Sequence, residues 1–181
     1  MATPPFILEL RSKIGHAPLW IPGCTAVVLR PAASSSLTRV TGASVDLADI
    51  EVLMVKRADN GKWTPVTGIV DPGEEPAVAA EREIREEAGV EAVAQRLLSV
   101  EVVGPVTYPN GDVSSYLDCS FVCEWKQGEP WPADGENTEA AFFPANDLPP
   151  TNERFRTAIK RALSGEDGPA VVLHRPKACS F

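Results

Sequence analysis

Short runs of Val, Leu and Ile recur along the chain between polar breaks marked by Gly, Asn and Pro, a pattern of strands more than of long helices. Residues 24–29 and 51–55 read as strands, joined by a Ser-, Thr- and Ala-rich stretch, 31–48, that reads as a loop insertion. Asn60-Gly61 and Asn110-Gly111 are hairpin turn signals, the second leading into a long alternating strand over 113–124. Two hairpins imply a partly antiparallel sheet.

The 3.6-residue period dominates twice. Over 76–88, Ala77, Ala80, Ile84 and Ala88 share one face, Pro76 sits at the first helical position and Gly89 just past the end, so this segment predicts a helix with clear start and stop. Residues 151–163 predict a closing helix. Strand patterns cover 93–103 and 139–143, 171–173 reads as an extra edge strand, and 6–14 as a short helix or strand behind a tail at 1–5. Strands interleaved with helices define one α/β domain over 1–181, with a mixed sheet, helices on both faces and a C-terminal extension at 165–181.

The chain has 181 residues and a net charge of -8, the wrong sign for a surface that neutralises phosphates along duplex nucleic acid. No stretch reaches the roughly 18 apolar residues of a membrane helix, and Glu9, Arg11 and Lys13 interrupt what a signal peptide would keep apolar, so the expected setting is cytoplasmic, off the membrane. The four cysteines fit that reading. Cys119 and Cys123 fall on one strand face about 13 Å apart, too far for a disulfide, and Cys24 and Cys179 are scattered, so buried thiols are expected.

Charge is concentrated in one window: 68–90 holds seven acidic groups against Arg82 and Arg85. With Ile84 at the centre of the buried stripe, Glu87, Glu83 and Glu86 fall at about -60°, -100° and -160° on the helical wheel. Glu83 and Glu87 form a like-charge (i, i+4) pair that costs an isolated helix about 0.2–0.5 kcal/mol. Glu86 and Glu87 also face the negative end of the helix dipole. A solvated acidic face is the bland explanation. Divalent cations remove both penalties, because dense hard oxygen donors suit Mg²⁺ or Mn²⁺, which bridge to substrate phosphates. The turn Gly68-Ile69-Val70-Asp71-Pro72-Gly73-Glu74, with Gly at both ends, lets backbone approach such ions.

Gly68, Glu74 after five residues, and after seven more Arg82-Glu83-Ile84-Arg85-Glu86-Glu87-Ala88-Gly89-Val90 resemble the Nudix box, G-x5-E-x7-R-E-U-x-E-E-x-G-U with U aliphatic, at every specified position. The resemblance implies an α/β/α sandwich and a hydrolase that uses Mg²⁺ or Mn²⁺ to cleave a nucleoside diphosphate linked to another moiety. It assigns Glu86 and Glu87 to metal, Glu83 to metal or to the role of general base, and Glu74 with Arg82 to an orienting ion pair. The carbonyl of Thr67 takes the place of a further ligand, Thr67 standing where the family commonly has a second glycine.

Outside the box, Arg57 is the candidate for substrate phosphate and Trp63 for base stacking, ahead of Trp125, Trp131, Tyr108 and Tyr116. Glu136, after Gly135 and before a strand, is the candidate carboxylate from a later loop, preferred to Glu139. The expected partner is a nucleotide-type small molecule, and 171–173 suggests a homodimer by edge pairing. A nucleotide-sensing module without turnover is the alternative, and an acidic interaction domain the third reading.

Overall fold

The computed structural model describes residues 3–37, 40, 46–165 and 168–171, the last two without their side chains. In chain order these form α1 (Pro5–Ile14), β1 (Leu19–Pro31), a 3-10 turn (Leu47–Asp49), β2 (Ile50–Arg57), β3 (Trp63–Thr64), β4 (Val66–Ile69), α2 (Pro76–Ala88), β5 (Glu91–Thr107), β6 (Val113–Gln127), β7 (Asn137–Pro144), α3 (Glu153–Ser164) and β8 (Ala170–Val171). The ambiguous 6–14 segment is a helix with Pro5 at its first turn, so the tail expected at 1–5 ends earlier, at a buried Pro4. Of the expected loop at 31–48, Pro31 still belongs to β1, and 38–39 and 41–45 lie outside the described residues.

β1 organises the sheet. One edge runs parallel to β6 from Leu19 to Leu29; the other bonds β2 at Leu29–Pro31 and β4 at Gly23–Ala26, both antiparallel. β2 therefore leaves β1 after Val52, takes up β3 at Val55 and Lys56, and carries β7 on its other edge. The sheet forks, and the segment leading into α2 starts at the fork. β8 pairs in parallel with β5 at Ser99 and Val100 and so ends the sheet as an extra edge strand; residues 172–173 lie outside the described residues.

Alternation along β1 divides the core into two layers. Cys24, Ala26 and Val28 pack with Ala79, Ala80, Ile84 and Ala88 of α2. Val27 and Leu29 pack with Ala158, Ile159 and Ala162 of α3. The α/β class, the mixed sheet and a helix on each face match the sequence reading. Cys24, Cys119 and Cys123 are free; Cys179 lies outside the described residues. No helix among the described residues is long and apolar enough to cross a membrane.

Candidate active site

α2 starts and stops where its punctuation indicates, at Pro76 and at Gly89, which takes the left-handed conformation (φ 66°) that suits glycine. The buried stripe is wider than the periodicity suggests. Ala79 is fully buried, and Glu83 and Glu87 are 1% and 6% exposed. β4 lies against the Glu83 side of the helix, and Gly68 makes room for it: a Cβ at 68 would overlap Glu83 Cγ, Cδ and Oε1. The first glycine of the box is thus needed for close approach to a carboxylate.

Arg82 holds the acidic residues together. Its Nε and Nη2 donate to the two oxygens of Glu74 at 3.0 and 2.9 Å, a bidentate pair that holds the Glu74 carboxyl below its usual range. Nη2 also donates to the Ile69 carbonyl at 3.0 Å, and Glu74 Oε2 accepts from the Asp71 amide at 3.1 Å, closing the turn before the helix. The same guanidinium's Nη1 donates to Glu83 Oε1 at 2.9 Å and Glu86 Oε2 at 3.1 Å.

Burial pushes the Glu83 carboxyl up to about 7 against the pull of Arg82. Glu87 lacks that cation; burial pushes it up to about 8, opposed by a hydrogen bond from Asn137 and reinforced by the charge of Glu83. Glu86 is exposed. Among the described residues no three acidic, Cys or His side chains are arranged to hold a metal ion as they stand, but the carboxylates of Glu83, Glu86 and Glu87 are donors of the kind a hard divalent cation takes. One positive nitrogen already bridges Glu83 and Glu86, and Glu87 is buried beside them with a neutral donor.

The other candidates are placed unevenly. Thr67 lies in β4 opposite Thr25, next to Gly68. Arg57, at the end of β2, makes a bidentate pair with Asp59 at 2.9 and 2.8 Å, which holds its guanidinium charged. Trp63 is not brought to the carboxylates: it packs edge-on against Phe143, with centroids 4.9 Å apart, in the layer under α3. Glu136 precedes β7, its carbonyl accepting from the Ala58 amide at 2.8 Å, whereas Glu139 is tied to Lys56 at 2.7 Å across the sheet.

Two groups escaped the sequence reading. Asn137, read as loop, is buried and donates to Glu87 Oε2 at 3.1 Å. On the α3 side, buried Asp118 accepts from Thr25, Ser120 and Arg154 at 2.9–3.1 Å. The signal for Asp118 was available: polar residues at alternate positions of a strand covered on both faces must be buried and bonded.

The NUDIX domain family model matches residues 37–163, and the chain belongs to that family. It is 34% identical over 105 residues to the human 8-oxo-dGDP phosphatase NUDT18, covering 55% of this chain and 30% of the relative. It is 31% identical over 135 residues to the NAD-capped RNA hydrolase NudC of Deinococcus radiodurans, covering 74% of this chain and 43% of the relative. The chain thus spans less than half the length of either protein. Among solved structures, the fold is shared with a MutT NUDIX hydrolase from Burkholderia pseudomallei (TM-score 0.53, 24% identity, 79% of this chain and 98% of that one). An ADP-ribose pyrophosphatase from Streptococcus suis is similar too (TM-score 0.55, 19% identity, 82% and 96%).

Proposed function

We propose that the chain is a divalent-metal-dependent hydrolase that cleaves a phosphoanhydride bond in a nucleoside diphosphate linked to another moiety. The observation that carries this reading is the pair of buried carboxylates on α2, Glu83 in the space that Gly68 leaves and Glu87 against Asn137. Folding alone penalises such a pair, and a cation bound by it removes the penalty. Glu86, Glu87 and the Thr67 carbonyl would hold Mg²⁺ or Mn²⁺, with Glu83 beside them as a further ligand or as the base. When bound, the ion neutralises phosphate charge and acidifies water.

The chain's own groups do the rest. Arg82 takes Glu83 Oε1, which leaves Oε2 to accept the proton of an attacking water, and a carboxyl near 7 is matched to that task at neutral pH. Glu74 fixes Arg82, and with it the placement of Glu83 and Glu86. Arg57 is the group for a substrate phosphate, on exchange from Asp59. The names of the relatives define a test panel of 8-oxo-dGDP, ADP-ribose and NAD-capped RNA. Product formation with Mg²⁺ supports the reading; tight nucleotide binding with no product from any of them supports the sensing module instead.

Because the folded-state values of Glu83 and Glu87 are raised above 4.5, their contribution to stability is fully present below that pH and is lost as pH rises through about 7 and 8. The metal-free protein should therefore melt at progressively lower temperature from pH 5 to 8. Glu87→Gln should flatten that slope, raise the metal-free melting temperature at pH 8 and weaken Mg²⁺ binding. Melting curves with and without Mg²⁺ check all three, and an unchanged Mg²⁺ affinity removes Glu87 from the ligands. Glu136→Gln should reduce turnover at least about tenfold with little change in melting temperature, the smaller end of acid-base effects. If Glu139→Gln has that effect and Glu136→Gln has none, the assignment within this loop is wrong.

A further inference from the structure

We propose that Asn137 is a positioning residue that sets the Glu87 carboxylate for its cation, presented by a bulged strand start and by the loop that closes over the end of α2. The inference rests on Glu87 being a metal ligand. Among the described residues, Asn137 supplies the one side-chain hydrogen bond to Glu87, Nδ2 to Oε2 at 3.1 Å, from a side chain that is itself buried.

The backbone explains how a strand residue reaches a helix carboxylate. Lys56 pairs with Glu139, but the next residue, Arg57, pairs with Asn137, so the β2–β7 register shifts there and Thr138 is extra. A bulge of this kind re-aims a side chain. Here Glu139 is left exposed beside Lys56 while Asn137 turns inward.

The preceding loop is fastened to the same end of α2. The Ala133 amide donates to the Glu87 carbonyl at 3.2 Å, and the Trp131 amide to the Ala88 carbonyl at 3.1 Å. The Trp131 indole covers Gly89 so closely that a Cβ there would overlap it. The Ala58 amide, donating to the Glu136 carbonyl, ties the loop's far end to the end of β2. One segment therefore fixes both the backbone and the carboxylate of Glu87.

An amide is well chosen for this. A Lys or Arg at 137 would hold the carboxylate but compete with a metal for its charge, whereas a neutral donor orients it and leaves that charge available. Partners that orient ligating carboxylates are typically worth 10- to 100-fold in metal affinity.

The test is a Mn²⁺ titration of the full chain without substrate, free Mn²⁺ being read by electron paramagnetic resonance, on wild type and Asn137→Leu, which keeps the volume and removes the donor. Asn137→Ala serves if the leucine variant does not fold. The expected result is a Mn²⁺ Kd raised about tenfold or more. In turnover assays, the variant should need correspondingly more Mn²⁺ for half-maximal rate but reach a near-wild-type kcat at saturation. A Kd within about twofold of wild type, or a kcat that saturating Mn²⁺ does not restore, overturns the positioning role. Absence of saturable Mn²⁺ binding in wild type overturns the metal reading and this inference with it.

Discussion

Replacing Glu83 by glutamine is expected to lower turnover at least about 10²-fold while leaving the fold intact. The substitution keeps the shape of a side chain that is 1% exposed and removes only its capacity to carry charge and accept a proton. Because burial holds this carboxyl up at about 7, the protonated form already packs in the native site, so a neutral amide should cost the fold little. Steady-state kcat beside a circular dichroism melt checks both halves. A folded Glu83→Gln enzyme with near-wild-type kcat would take Glu83 out of the chemistry.

Gly68→Ala should be as damaging to turnover, by a different route. The new methyl group would meet the Glu83 Cγ, Cδ and Oε1, and Glu83 has little room to retreat, being buried and held by Arg82. Overpacking of this kind typically costs about 1–3 kcal/mol, so here, unlike for Glu83→Gln, the melting temperature should fall with the activity. Because the methyl acts by displacing Glu83, the two substitutions together should lower kcat little more than either alone. Gly73 is the control: it has φ 86°, and a Cβ there meets nothing within 4 Å. Gly73→Ala strains its turn but should leave turnover far less affected. Equal loss in both variants would mean that the glycines act through turn geometry, not through room for Glu83.

The box and its helix were legible because local signals agree: proline at the start, glycine past the end, alanines and Ile84 on one stripe, and a fixed spacing of acidic groups. The wheel placed Glu83 well off that stripe, and it is buried nonetheless because β4 packs on that flank, which a single helix's periodicity does not encode. Asn137 was missed for a related reason. It stands two residues ahead of the segment that reads as strand, and the register shift at Arg57 that turns it inward depends on pairing with β2. The edge-on contact of Trp63 with Phe143 was not legible either, because Phe143 comes from β7, eighty residues further along the chain. β5 and β6 extend past their expected ends because each completes the other's ladder from Glu91 with Gln127 to Thr107 with Val113.

The most direct test of the central claim is product analysis by ion-exchange chromatography on ADP-ribose and 8-oxo-dGDP with the purified chain, in Mg²⁺ or Mn²⁺ and in EDTA. The expected result is release of a nucleoside monophosphate from at least one of them, abolished by EDTA and by Glu83→Gln. Product formation that persists in EDTA, or that Glu83→Gln leaves undiminished, would contradict the account.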